Sequence, residues 1–290
     1  MTLCISYRHF NREAYDQAMA LSDSRLTVVR NKNVENGFVN IPSDTEICHQ
    51  NDFGIKLHVM KSDRKRGRRD IVASVAGAVS LGLQSIIHLE AVIIGLLGGA
   101  KFDQLIEIID ETIDNFWRTA YDKEIEYLFM LADDSGRTRI FEKIGTPREV
   151  YPLEEVPNEH GVYFGVIGDR KNEIKGIILC EVNKLLICKP RMPIETALEI
   201  ACVRAIRREI EDPQNLLVGG NIQAAAMKGH EGYYLSAQYD NHLSFRSASY
   251  PSQINISRFP LMHPLWPFNS EIYNPRNAIE EIQEHVVTDC

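Results

Sequence analysis

Thr2, the second residue, could supply both a nucleophile and a base once Met1 is removed. Initiator methionine is usually cleaved when a small residue such as threonine follows, and cleavage leaves Thr2 with a free α-amine beside its own hydroxyl. This amine titrates near ~7.7–8.0 and accepts a proton at neutral pH, and a threonine hydroxyl paired with such an amine is an activated nucleophile. Threonine is common in second place, so the catalytic interpretation depends on the rest of the chain.

The composition is that of an ordinary globular protein. The chain has 290 residues, 44% of them hydrophobic, which is enough for one large domain or two small ones. A net charge of -8 argues against nucleic acid as a partner. The basic run at 64–69 therefore predicts a solvated loop.

Six cysteines are present without a CxxC pair and without an N-terminal apolar leader, so we expect reduced thiols and a cytoplasmic location. The chain contains no paired Cys/His spacing, HExxH, P-loop or GxGxxG. We therefore expect no metal and no cofactor.

The segment 71–100 is apolar enough to be considered as a membrane span. However, Gln84, His88 and Glu90 lie in its middle, where polar groups are costly in hydrocarbon. We favour a buried strand that passes through a glycine turn into a buried helix, and we expect no membrane contact. A membrane-associated protein stays the less favoured alternative.

The hydrophobic periodicity predicts strands and helices in alternating groups. Strands, two helices, strands, two helices and strands follow one another, an order that does not suggest βαβ crossovers. It predicts an α/β fold of the α+β type, a four-layer αββα sandwich with two antiparallel sheets between helix pairs. The predicted strands are 2–8, 17–22, 25–29, 54–60, 71–76, 124–132, 137–141, 161–167, 219–227 and 231–237, and the helices are 78–97, 103–120, 174–188 and 193–211.

The last part of the chain differs in style from the rest. From 241 onwards there is no clear period, and five prolines interrupt the sequence. We predict a domain over 1–240 and an irregular extension over 241–290 that packs on its own core or on a neighbouring subunit.

Several short blocks together resemble the proteasome β-subunit family of N-terminal nucleophile hydrolases. The opening MTLCISYR with LSDSRLT is most similar to the bacterial branch called Anbu, and the resemblance spans about residues 2–236. The blocks, in chain order, are Thr2 before a strand, Asp23-Ser24-Arg25, Ile55-Lys56-Leu57, Val75-Ala76-Gly77-Ala78 and Val218-Gly219-Gly220-Asn221.

This resemblance implies a threonine-type peptidase or amidase that acts on a peptide or protein substrate. Thr2 would attack the carbonyl, with its own amine as the base. Lys56 would lie beside Thr2 and keep the pKa of the amine low, and Asp23 would pair with Lys56. The backbone N–H of Gly77 would stabilise the oxyanion, and Asp169 could accept a hydrogen bond from the amine. Self-assembly into a ring or ring-like stack is also implied.

The sequence also departs from the family pattern. Asp169 stands where active members tend to have a serine, and Asn215 and Val218 stand where many have an aspartate and a serine. The second hypothesis is therefore a catalytically impaired assembly or scaffold subunit. Without the resemblance, Asp23 would cap a turn, Lys56 would be solvated and Gly77 would only permit a bend.

Overall fold

The structure, a computed structural model, describes residues 2–10, 16–23, 25–31, 45–51, 56–61, 69–95, 100–118, 124–146, 149–159, 162–215, 217–219, 222–239, 242–245 and 271–273. The strands are β1 (Leu3–Phe10), β2 (Asp16–Asp23), β3 (Leu26–Asn31), β4 (Thr45–Asn51), β5 (Leu57–Met60), β6 (Ile71–Gly77), β7 (Ile125–Ala132), β8 (Thr138–Gly145), β9 (Glu154–Glu155), β10 (Asn158–Glu159), β11 (Val162–Gly168), β12 (Ile222–Lys228), β13 (Glu231–Tyr239), β14 (His242–Phe245) and β15 (Glu271–Tyr273). The helices are α1 (Val79–Gly95), α2 (Phe102–Trp117), α3 (Lys171–Cys188) and α4 (Ile194–Glu211).

The first sheet has the strand order β10-β11-β1-β2-β12-β13-β14, and β15 pairs with β13. Its pairs are antiparallel except for β13 with β15. Because successive side chains of a strand point to opposite faces, Leu3 and Ile5 pack in the core with α3 and α4, whereas Cys4 faces the other sheet. Thr2 directly precedes this strand and is fixed at its start.

The second sheet has the order β5-β6-β7-β8-β9, with antiparallel neighbours throughout. Both of its faces are covered, which explains why every residue of β7 is buried and why β6 is a continuous apolar run. Tyr127 and Phe129 pack towards α1 and α2, while Leu128 and Met130 pack between the sheets.

The four-layer αββα prediction is confirmed. One apolar core joins α3 and α4 to the first sheet, one lies between the sheets, and one joins α1 and α2 to the second sheet. The segment 71–100 forms β6 and then α1, as expected. Within the described part of the chain, no helix is both long and apolar enough to cross a bilayer.

Several details differ from the sequence-based prediction: the strands β4, β9, β10, β14 and β15 were not predicted, and some element ends are shifted. The strand β4 was not predicted, because its sequence TEICHQN carries polar residues at most positions; it forms a two-stranded sheet with β3. Helix α3 begins at Lys171 and not at 174, since its polar first turn lacks the apolar period that marked the rest.

Two predicted features lie partly or wholly outside the described residues. The basic loop at 64–69 is described only at Arg69. In the predicted extension over 241–290, the short strands β14 and β15 join the first sheet through β13, and the other residues are outside the described ranges. The domain boundary at 240 stays a prediction.

Candidate active site

Thr2 is fully buried at the start of β1 and binds the side chain of Asp23 at the end of β2. The Thr2 hydroxyl donates to Asp23 Oδ1 over 2.7 Å, and the backbone N–H of Leu3 donates to the same oxygen over 2.9 Å. Strands β1 and β2 are antiparallel neighbours, with Cys4 opposite Ser22, so sheet pairing brings the two residues together. A carboxylate therefore holds the candidate nucleophile in place.

The second oxygen of Asp23 is surrounded by positive charge and N–H donors. Lys56 Nζ lies 2.8 Å from Oδ2, and the backbone N–H groups of Gly219 and Arg25 donate to it over 3.1 and 3.2 Å. Asp23 and Lys56 have no exposed surface. A buried charge is tolerated when it is both paired and hydrogen-bonded, and Asp23 meets both conditions.

Both the carbonyl and the N–H of the Lys56 backbone are hydrogen-bonded. Its carbonyl accepts from Val75 N–H over 3.0 Å, and its own N–H donates to the side-chain oxygen of Gln223 over 3.3 Å. Burial lowers the pKa of Lys56, while the neighbouring charge of Asp23 acts to raise it. Among the described residues, Asp23 is the partner of Lys56 Nζ, and an ammonium has three protons, so protons remain available to a further acceptor.

Gly77 ends β6 with φ of +83°, where a Cβ would lie 2.2 Å from the carbonyl oxygen of Glu124. Only glycine fits this backbone. Glu126, which lies opposite Ala76 in the second sheet, accepts from the N–H of Gly168, which lies opposite Leu3 in the first sheet. Gly77 therefore lies at the same end of the two sheets as Thr2.

The turn after β11 holds the backbone of Thr2. Asp169 N–H donates to the carbonyl oxygen of Thr2 over 2.8 Å, so the contact is made by the Asp169 backbone. At Gly168, with φ of +102°, a Cβ would lie 1.8 Å from that same oxygen. Burial raises the pKa of the Asp169 carboxyl, and the adjacent charge of Arg170 opposes this effect.

Glu126 and Gln223 support these contacts and were not among the predicted site residues. Glu126 in β7 is buried, accepts from Gly168 N–H over 2.6 Å and pairs with Lys171. The single charged residue inside the otherwise apolar strand IEYLFMLA is a signal that could have indicated it. The side-chain oxygen of Gln223, which holds Lys56, had no such signal in sequence.

Asn215 and Val218, the positions that depart from the family pattern, lie in the loop that leads to Gly219. Asn215 Oδ1 accepts from the backbone N–H groups of Leu217 and Val218 over 3.2 and 3.1 Å. The side chain of Asn215 thus shapes the loop that presents Gly219 N–H to Asp23.

Comparison with known proteins gives structural but no sequence relatives. No family model and no curated protein matches the chain. Anbu from Yersinia bercovieri superposes with a TM-score of 0.52 at 15% identity, over 80% of this chain and 86% of that one. A mutant and another form of Anbu from Hyphomicrobium sp. strain MC1 each give 0.51, at 12% and 13% identity, over 99% of this chain and 96% of theirs. The chain therefore has the proteasome-like fold of the Anbu structures.

Proposed function

We propose that the chain is an N-terminal threonine hydrolase that cleaves peptide or amide bonds. The observation that carries this proposal is the buried arrangement in which one carboxylate, Asp23, binds both the hydroxyl of Thr2 and the ammonium of Lys56. A nucleophile, a charge partner and an orienting group in contact form the arrangement that activated hydroxyls require.

The proposed reaction begins when Met1 is removed and the amide nitrogen of Thr2 becomes a basic amine. The Thr2 hydroxyl, whose single proton points to Asp23 here, then turns that proton towards its own amine, directly or through a water. Thr2 Oγ1 attacks the substrate carbonyl carbon, and the amine takes the hydroxyl proton. The oxyanion that forms accepts from Gly77 N–H, and the amine returns the proton to the leaving nitrogen.

Hydrolysis of the resulting ester completes the cycle. The free amine of Thr2 takes a proton from water, the hydroxide adds to the ester carbonyl, and Thr2 Oγ1 leaves with that proton. The ammonium of Lys56 keeps the pKa of the amine low in both steps, because a like charge disfavours its protonated form.

We also propose that the protein works in the cytoplasm as a homo-oligomer, a ring or ring-like stack that encloses its sites. The resemblance in sequence and the Anbu-type fold support this proposal. Light scattering on the purified chain tests it: a mass of several chains supports assembly, and a mass near 33.0 kDa contradicts it.

The second candidate function is that of an assembly or scaffold subunit without activity. Asp169 and the apolar Val218 occupy positions where active family members have serines, and Thr2 has no exposed surface. Under this alternative Met1 stays attached, and the amide nitrogen of Thr2 cannot act as a base.

Intact mass and covalent labelling separate the two functions. The purified chain is weighed and then treated with an epoxyketone, an electrophile that needs both the hydroxyl and the free amine of an N-terminal threonine. A Met-free chain that gains one adduct supports the hydrolase, and retained Met1 without an adduct supports the scaffold. Thr2→Val, which keeps the shape and removes the hydroxyl, is the matched control and should gain no adduct.

A further inference from the structure

A buried carboxylate at the end of α4, Glu209, lies outside the reaction proposed above. Its side chain is 3% exposed, although it belongs to the charged stretch RREIE that resembles a solvated helix end. Its Oε2 accepts from two side chains, Arg170 Nη1 over 3.0 Å and Asn215 Nδ2 over 2.8 Å. These two partners belong to different loops of the candidate site.

The first partner leads to Thr2. Arg170 follows Asp169 directly, and Asp169 N–H holds the carbonyl oxygen of Thr2. Arg170 has φ of +53°, a left-handed backbone that costs energy for a residue with a side chain and needs contacts to hold it. The pairs with Glu209 and with Glu173 supply those contacts.

The second partner leads to Asp23. With its amide nitrogen bound to Glu209, Asn215 turns its oxygen towards Leu217 and Val218 N–H. The next residue, Gly219, donates its N–H to Asp23 Oδ2. One oxygen of Glu209 therefore connects the turn that holds Thr2 with the loop that holds Asp23.

We propose that Glu209 is a positioning residue of the threonine hydrolase site, and this inference rests on the proposed function. Its Oε2 keeps the turn at 168–170 and the loop at 215–219 in register, so that Thr2 and Asp23 stay together. It touches neither the substrate nor the reacting atoms. Displacement of reacting groups by about 1 Å costs up to ~100-fold in rate, which sets the size of the expected effect.

Three variants test this role. Glu209→Leu removes the acceptor at similar size. Glu209→Gln keeps an oxygen that can accept from both partners and should rescue the defect. Glu211→Leu is the matched control, because Glu211 lies in the same helical turn and pairs with an arginine, Arg207, at the surface. Each leucine variant removes a negative charge from the helix C-terminus, so the dipole effect is equal in both.

The readout is the first-order rate constant for labelling of the Met-free chain by the epoxyketone at saturation. We expect E209L to be about 10- to 100-fold slower, E209Q to lie within about 3-fold of wild type, and E211L to be unchanged. The same rate for E209L and E211L, or an E209Q as slow as E209L, overturns the proposal. If E209L does not yield folded protein, Asn215→Ala cuts the same link from the loop side and must meet the same criterion.

Amide hydrogen exchange distinguishes failure of this inference from failure of the proposed function. If the wild type takes no label, the hydrolase proposal fails, but exchange can still be measured over 165–172 and 213–219. Faster exchange in both segments of E209L than of E211L supports the linking role. Equal exchange overturns it.

Discussion

At the residue scale, the charge of Asp23 has no solvent to stabilise it and depends on groups within the protein. Thr2, Leu3, Arg25, Lys56 and Gly219 all bind this one side chain. These residues come from four separate parts of the chain, so the carboxylate ties the N-terminus to the rest of the site. The removal of any charged partner should therefore affect both stability and labelling.

We predict that Lys56→Met lowers the free energy of unfolding by about 3–5 kcal/mol, because it leaves the charge of Asp23 buried and unpaired. Asp23→Asn combined with Lys56→Met should cost less than the two single changes added together, with a coupling of roughly 1–3 kcal/mol. Urea unfolding of the four chains gives these values. Lys184→Met, at an exposed position of α3, should change the unfolding free energy by at most about 0.5 kcal/mol. Strict additivity of the two buried changes would contradict the pairing.

The raised pKa of the Asp169 carboxyl predicts that this group lowers the stability of the fold at neutral pH. A carboxyl whose pKa is higher in the folded than in the unfolded protein stabilises the fold below its ordinary value of 3.8, and that contribution is lost as the pH rises through the folded pKa. Asp169→Asn removes the ionised form. We therefore expect Asp169→Asn to be more stable than wild type at pH 7 and to lose this advantage near pH 4 in urea unfolding. If the difference in unfolding free energy between Asp169→Asn and wild type favoured the variant less at pH 7 than at pH 4, burial would not be the cause of the raised pKa.

At the element scale, the pairing of β1 with β11 delivers Thr2 to the site. Leu3 lies opposite Gly168, and the turn after Gly168 gives the bond from Asp169 N–H to Thr2. Glu126 reaches this turn from the second sheet and Glu209 reaches it through Arg170 from α4. Elements from both halves of the sandwich therefore fix one turn.

We predict that Gly168→Ala destabilises the protein by more than about 1 kcal/mol and stops labelling of Thr2, because its Cβ cannot share space with the Thr2 carbonyl at a positive φ. Gly176→Ala is the matched control: it lies within α3, and a Cβ there would meet nothing within 4 Å. Alanine at that helical position should stabilise by up to about 1 kcal/mol. Thermal unfolding and labelling measure both variants, and equal behaviour would refute the role given to Gly168.

The sequence allowed the elements to be predicted where periodicity was strong. A stripe at helical spacing indicated α2, formed by Leu105, Ile106, Ile109, Ile113, Phe116 and Trp117. All of them are buried against the second sheet except Ile106 and Phe116, which are half-buried. The grouping of helices in pairs indicated the αββα layers. Strand β4 was missed because a short two-stranded ribbon does not need an alternating apolar face.

The site could be predicted only in part. Thr2, Asp23 and Lys56 stand in blocks that resemble a known family, and the structure brings them into contact. Glu209 and Gln223 could not be predicted, because their partners come from other elements and their local sequence is that of a surface helix or a strand. Long-range pairing decides which charged residues are buried, and local pattern does not carry that information.

At the scale of the whole molecule, the core between the sheets places the second sheet against the one that carries Thr2. Leu128 from β7 is fully buried there, and its Cδ2 would lie 2.7 Å from a Cβ built on Gly165 of β11. The two sheets therefore meet in close packing behind the site.

We predict that Leu128→Ala lowers the free energy of unfolding by about 2–5 kcal/mol, since it leaves a cavity in this layer. Ile187→Ala is the matched control, because Ile187 is 78% exposed on the outer face of α3. Its effect should stay within about 0.5 kcal/mol in the same denaturant titration. Similar losses for both variants would argue against the layered arrangement.

The proposed mechanism requires the amine and hydroxyl of Thr2 to act together once Met1 is gone. Fragment mass spectrometry of the epoxyketone-treated, Met-free chain tests it most directly, because it locates the adduct on a single residue. We expect the adduct on Thr2 in the wild type and no adduct in Thr2→Val. An adduct on Cys180 or Cys188, the exposed thiols of α3, or an unmodified Thr2 in a Met-free chain, would contradict it.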